Sequence, residues 1–306
     1  MQSRRLAVPL VLGIVAAAGT IGPAVAAAPD EPASSGAPMT AGERALTPAE
    51  RALSDAKVAA AEASLARLRS SGFGLVSLAC VPNAPSGSEK SMPDAKVAQP
   101  QAAAAGCAPP SGFLSVEARQ QTKDHYCGPA VGQVVANYAW VVKAGANKFT
   151  QNAIAGWMKT DLNGQTSAPE LATGLQKATL GSPRHKGNFR WAVTDLRDTD
   201  GDGTTGDQLH GYLMSAISGA RMPIAIAVKP HEPGWSDHLA SWPNPIRSGG
   251  HWIAAYGWRG VWDGTSSART YYADSSEDQG GGTGKYWDPT SEIARMIGAH
   301  TRRFVW

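Results

Sequence analysis

From Gly112 to the end of the chain, apolar side chains recur first at helical spacing and then in strand-like runs. Tyr126-Cys127-Gly128-Pro129-Ala130 opens a helix whose face is Val131, Val134, Val135, Tyr138 and Val142. Two short helices follow. One starts at Thr150, and one starts at Ser167, where Ser167-Ala168-Pro169-Glu170 has the form of a capping box. A helix over about 206–218 leads into a strand, Met222 to Val228. After a loop rich in Trp, Pro and His come strands at His251 to Trp258 and Arg269 to Asp274, and Arg302 to Trp306 is a further strand candidate. Helices first and an antiparallel sheet afterwards predict an α+β domain over 112–306.

The chain before Gly112 reads differently. Arg4 and Arg5 precede a short apolar run, Leu6 to Ala18, broken by Pro9 and Gly13. That run is too short for a membrane anchor, and Ala24-Val25-Ala26 fits a cleavage site, so 1–26 reads as an export signal. A secreted protein with no stable membrane span is expected. Residues 27–46 are polar and contain proline, the composition of a disordered segment. Thr47-Pro48-Ala49-Glu50 begins a helix over 47–70 with a thin stripe of Leu46, Leu53, Leu65 and Leu68. This helix is either a propeptide-like arm or a helix packed on the domain. Residues 71–111 read as a Pro/Ala/Gly-rich linker.

Composition excludes several classes. Hydrophobic residues at 42% rule out wholesale disorder. The net charge of +3 includes Arg4 and Arg5. Losing them with the leader leaves a nearly neutral chain, which gives nucleic acid no electrostatic hold. Three cysteines are too few for a disulfide-dense scaffold or a four-cysteine zinc site. Outside the cell three thiols cannot all pair within one chain. Cys80 and Cys107 share the linker-like region, so they are the expected disulfide, with Cys127 left free. In the chain-entropy model such a loop contributes roughly 3–4 kcal/mol.

An unpaired exported thiol points to chemistry. Cys127 stands where a helix begins, and a helix N-terminus stabilises a thiolate. On the residues alone it reads equally well as a small buried hydrophobe. Gly249-Gly250-His251 enters a strand, and a hairpin register that sets Trp258 opposite Ser267 sets His251 directly opposite Asp274. The carboxylate then holds the imidazole, whereas a slip by one residue sends the two to opposite faces. Asp263, Asp278 and Asp288 are rivals for this role. A side-chain amide from Gln121, or from its neighbour Gln120, supplies an oxyanion donor beside the nucleophile's own N–H.

Gln121, Tyr126-Cys127-Gly128-Pro129-Ala130, Gly250-His251-Trp252-Ile253 and Tyr272-Ala273-Asp274, in that order, resemble the papain-like cysteine peptidases. More narrowly they are similar to the bacteriocin-processing, double-glycine-leader peptidases and their secreted relatives. Tyr126 stands where leader-processing members have an aspartate. The resemblance implies Cys127 as nucleophile, His251 as base and acid, Asp274 as orienter and Gln121 as oxyanion donor. It also implies a peptide or protein substrate. A cell-wall amidase or acyl transferase acting on peptidoglycan, and an inactive peptide- or glycan-binding domain, are the alternatives.

Such chemistry requires no cofactor. Asp198, Asp200 and Asp202, with Gly203, match the first half of a calcium loop, but the twelfth position is Leu209 rather than a bidentate Glu. A variant structural calcium site and a merely acidic turn both remain open. His231, Asp237 and His238 lack a third ligand at zinc spacing. Trp235, Trp242, Trp252, Trp258, Trp262 and Trp287 read as packing residues or as a stacking surface for peptide or sugar. Peptide mapping without reduction is expected to find Cys80 linked to Cys107, and a link from Cys127 to either would disprove the pairing.

Overall fold

Strand β4, His251–Arg259, runs through the middle of the sheet and is buried over all but its last residue. The computed structural model describes residues 43–70, 110–160, 165–185, 189–198, 204–230, 238–242, 249–262, 267–276 and 282–306. All of these belong to one unit, Ala37–Trp306. Residues 1–26, read above as an export signal, and Cys80 and Cys107, read as a disulfide, lie outside the described residues.

In chain order the elements are α1 (Pro48–Ser70), β1 (Ser111–Phe113), α2 (Cys127–Ala139), α3 (Gln151–Met158), α4 (Ala168–Thr179), β2 (Val193–Asp195) and α5 (Gly206–Leu213). A π-helical turn, Met214–Ala220, continues α5. Then come β3 (Ile224–Val228), β4, β5 (Arg269–Asp274), β6 (Gly284–Pro289), α6 (Thr290–Gly298) and β7 (Arg303–Val305). The strands form one antiparallel sheet in the order β2-β7-β3-β4-β5-β6, and β1 pairs with the far end of β4. This is an α+β architecture.

Local chemistry explains the helix starts. Ser167 caps α4, with the reciprocal bonds to Glu170 of a full capping box. Thr150 caps α3 by accepting from Ala153 N. Thr47 and Glu50 exchange the same kind of bonds ahead of α1. Helix α2 is buried along its whole length and packs on β4, β5, α3 and α4. It ends at Ala139 because Val141 turns left-handed (φ 54°) and Val142 N reaches back to Asn137 O. Val142 therefore lies beyond the helix whose face the spacing assigns it to.

Helix α1 is a packed part of the domain. Ser54 and Ala61 are buried, and Ser54 Oγ lies 3.0 Å from Thr194 Oγ1 on β2. The buried line thus includes Ser54 and Ala61, with Lys57 and Leu53 half-buried beside them and Leu46 packed against the core. Glu43, just before α1, accepts from Ala168 N at 2.8 Å and pairs with Arg303 at 2.5 Å. Lys57 Nζ donates to the Trp306 carbonyl and sits 4.3 Å from the Phe189 ring centroid.

The β4–β5 hairpin differs from the expected register. Trp258 faces Thr270, not Ser267, a displacement of three residues. A bulge at Tyr256 then takes one residue back, so that Ala254 faces Ala273. The bulged residue's carbonyl accepts from Leu114 N at 2.9 Å. One step further Asp274 lies across from Ile253, which leaves His251 as its diagonal neighbour rather than its direct partner. The net displacement at this end is two residues, an even number, so both side chains stay on one face.

Burial pushes Lys57 from its ordinary value down to about 7. In the folded protein the amine sheds its proton near neutrality, whereas the unfolded chain keeps it until the ordinary lysine range. The unfolded state thus binds more protons between those points, and stability rises with pH across that window. Lys57→Met removes this slope. Thermal unfolding of both proteins at about pH 6 and about pH 10 is expected to show wild type gaining on the variant as pH rises. Equal pH dependence would refute the buried amine.

Candidate active site

Cys127 is the first residue of α2, with Tyr126 as the preceding cap residue. Its amide is among the first N–H groups of a helix, which have no partner within it. Gly128 follows because nothing larger fits: a Cβ there would lie 2.4 Å from Thr166 Oγ1. Pro129 occupies the first turn, where its missing N–H removes no helical bond. Among the described residues Cys127 is the free cysteine, and it is buried.

His251 opens β4, paired with Val228 on β3. Gly250 precedes it because the His300 ring lies against that position, 2.2 Å from where a Cβ would stand. His251 is 4% exposed and Asp274 is 1% exposed. His251 Nε2 lies 2.8 Å from Asp274 Oδ1. Cys127 lies near enough to the same imidazole to favour its protonated form. Asp274 engages Nε2, so Nδ1 is the ring nitrogen that the carboxylate does not hold.

The carboxylate is fully coordinated. Oδ1 also accepts from Ser276 N at 2.8 Å, and Oδ2 accepts from Ser241 Oγ at 2.5 Å and Trp242 Nε1 at 3.2 Å. Four donors on one buried carboxylate favour its charged form. Burial alone would raise Asp274, but the imidazolium charge and these bonds hold it below the usual carboxylate range. Burial likewise opposes a charge on His251, yet the Asp274 charge, its hydrogen bond and Cys127 together lift the ring to about 10. The site is built to hold an imidazolium between a carboxylate and a sulfur.

Gln121 sits on the same side of the molecule. Its backbone N donates to Ser275 O at 2.9 Å, and Ser275 Oγ approaches its Oε1 at 3.4 Å. One of its two amide N–H groups donates to Asp124 O. Gln120, the rival, is exposed and its carbonyl accepts from Gln151. Asp288, a rival for the orienter, serves a different purpose. Its Oδ2 accepts from Tyr272 OH at 2.7 Å and from Ala240 N at 3.0 Å. It thereby anchors the segment that delivers Ser241 and Trp242 to Asp274. Asp263 and Asp278 lie outside the described residues.

Sequence reasoning missed Ser241, Ser276 and His300. No spacing rule points to Ser241, 33 residues from Asp274, or to His300, whereas Ser276 N lies two residues beyond the carboxylate, the spacing of an Asx turn. His300 is pushed down to about 4 by burial and by the charges of Lys229 and His251. It therefore stays neutral next to the charged ring.

Of the six tryptophans considered for a stacking surface, Trp242, Trp252 and Trp258 are buried, with each indole N–H engaged. Trp242 bonds Asp274 and tilts against His251 with centroids 5.0 Å apart. Trp252 donates to Thr166 O at 2.8 Å, and Trp258 donates to Ser218 Oγ at 3.0 Å. These three cannot form a stacking surface. Trp262 packs over Gly206, and Trp287 carries the Arg269 guanidinium 3.9 Å above its ring. Trp235 lies outside the described residues.

Of the acidic loop, Asp198 is exposed, while Asp200, Asp202 and Gly203 lie outside the described residues. Leu209, at the twelfth position, is fully buried in α5 and offers no ligand. His231 and Asp237 also lie outside, and His238 Nδ1 is 2.9 Å from the Leu239 carbonyl. Among the described residues no three His, Cys, Asp or Glu side chains group to hold a metal, and no helix is long and apolar enough to cross a membrane.

No protein-family model matches this chain, and no curated protein matches it in sequence.

If Asp274 lifts His251, Asp274→Asn must lower it, because the amide keeps the shape but removes the charge. An NMR titration of the His251 ring is expected to show a midpoint at about 10 in the wild type, with the ring charged below it. The midpoint should move to lower pH in the variant. An unchanged midpoint would show that the carboxylate does not control the ring.

Proposed function

We propose that this protein is an exported thiol hydrolase that cleaves peptide bonds, with a papain-like arrangement of a helix-borne cysteine against a sheet that carries histidine and aspartate. The observation that carries the reading is the buried His251–Asp274 hydrogen bond with the buried free thiol of Cys127 near the same imidazole. Such a sequence of nucleophile, base and orienter is what covalent acyl transfer needs.

The steps follow from the residues. The Cys127 thiolate attacks the carbonyl carbon, forming a C–S bond and an oxyanion. The Cys127 N–H and the second N–H of the Gln121 amide are the donors for that oxyanion. As the tetrahedral intermediate collapses, the His251 Nδ1 proton passes to the leaving nitrogen and the C–N bond breaks. A water then gives its proton to His251 and attacks the thioester. The carboxylic acid departs and the thiolate is restored. Asp274 keeps its charge throughout and holds the ring in place. The leader at 1–26 supports action outside the cytoplasm.

The experiment compares wild type with Cys127→Ala on a peptide library and on purified peptidoglycan. Turnover is expected to fall on the order of 10⁴-fold in the variant, and iodoacetamide labelling to disappear. Turnover of peptidoglycan but not of free peptides would redirect the substrate to the cell wall. Equal turnover by both proteins would end the enzymatic reading.

A further inference from the structure

We propose that Gln151 is a positioning residue that holds Gln121 in place to serve the oxyanion, an inference that rests on the function proposed above. Gln151 is the first residue of α3 and is 4% exposed. Its side chain grips the two residues that flank Gln121. Oε1 accepts from Thr122 N at 2.9 Å and from Thr122 Oγ1 at 3.2 Å. Nε2 donates to Gln120 O at 2.7 Å. The remaining N–H goes to Gln133 Oε1 at 3.1 Å. Thr122 N can only donate and Gln120 O can only accept, so the amide has one satisfactory orientation.

Gln133 ties the grip to the nucleophile's helix. It lies on α2, the helix that begins at Cys127, and its Nε2 donates to Phe149 O at 2.7 Å. On the opposite side the Gln121 N–H is held by Ser275 O, one residue beyond Asp274. The segment 120–122 is thus fastened to α2 and α3 through Gln151 and to the end of β5 through Ser275. A loop residue offered as an oxyanion donor needs such support, because a donor free to move must be reoriented as the charge develops, a cost that a fixed donor avoids. Neither Gln151 nor Gln133 bonds to Cys127, His251 or Asp274, so both act through Gln121. A helix-start glutamine that merely closed α3 would have no reason to bond both neighbours of Gln121.

The test is Gln151→Leu, of similar size and without the amide, in the full chain. Peptide turnover is expected to lose on the order of 10²-fold in kcat, as small displacements of a catalytic donor do. KM and the rate of iodoacetamide labelling at Cys127 should stay at the wild-type level, because the Cys127–His251–Asp274 contacts are untouched. Gln121→Ala should add little in the Gln151→Leu background, since both remove one donor. Hydrogen exchange gives a readout that needs no activity: the Gln121 and Thr122 amides should exchange faster in the variant while the α2 amides do not. Gln133→Met, which loosens the grip without removing it, should show the same pattern more weakly and serves if Gln151→Leu does not fold. Wild-type kcat in Gln151→Leu, labelling that falls in step with kcat, fully multiplying losses, or unchanged exchange at Gln121 would each overturn the proposal. A wild-type protein without Cys127-dependent turnover would instead remove the hydrolase reading, and the exchange measurement would still decide whether Gln151 holds the segment.

Discussion

The buried Asp274 carboxylate is the interaction around which the site is organised. It draws donors from β4 through His251, from the 238–242 segment through Ser241 and Trp242, and from the turn after β5 through Ser276. A buried carboxylate without such partners would be expelled or neutralised. With four donors it stays charged, and its charge keeps the neighbouring imidazole protonated despite burial. Asp288 supports this from behind by anchoring Ala240 N. The two aspartates that sequence treats as competitors are therefore coupled: one holds the histidine, and the other holds the segment that holds the first.

Face parity in the β4–β5 hairpin is the second constraint. Without the bulge at Tyr256, the register at Trp258 would carry Asp274 opposite Ala254, on the other face from His251. The inserted residue shifts the ladder by one and brings the pair back together. Leu114, just after β1, satisfies the bulged carbonyl, so the short strand β1 contributes to the site although it supplies none of its groups. The expected direct pairing was mistaken in register, yet His251 and Asp274 meet because two displacements, one from the loop and one from the bulge, leave an even remainder.

The elements that escaped the sequence reading are instructive. Strands β1 and β2 are three residues each, too short for a period to show. Helix α6 was legible in principle, since Ile293, Met296 and Ile297 recur at helical spacing and are buried. For α1 the leucines did not point to Ser54 and Ala61, the small buried residues that let the helix lie close against β2 and α5.

By itself the sequence determined the α+β order of elements, the caps at Thr47, Thr150 and Ser167, the helix start at Cys127, and the candidates Gln121, Cys127, His251 and Asp274. These are local matters, governed by period, capping chemistry and the few residue types that do acyl chemistry. Only the tertiary structure decided which aspartate meets the histidine, which donors complete it, that the tryptophans at 242, 252 and 258 are buried, and that Gln151 grips the segment around Gln121. Those depend on register and on contacts between residues tens of positions apart, such as Asp274 with Ser241, 33 positions away, and Gln151 with Gln120, 31 positions away. Hydrogen bonds of that kind form only after the sheet and α2 have packed, so no window of sequence contains them.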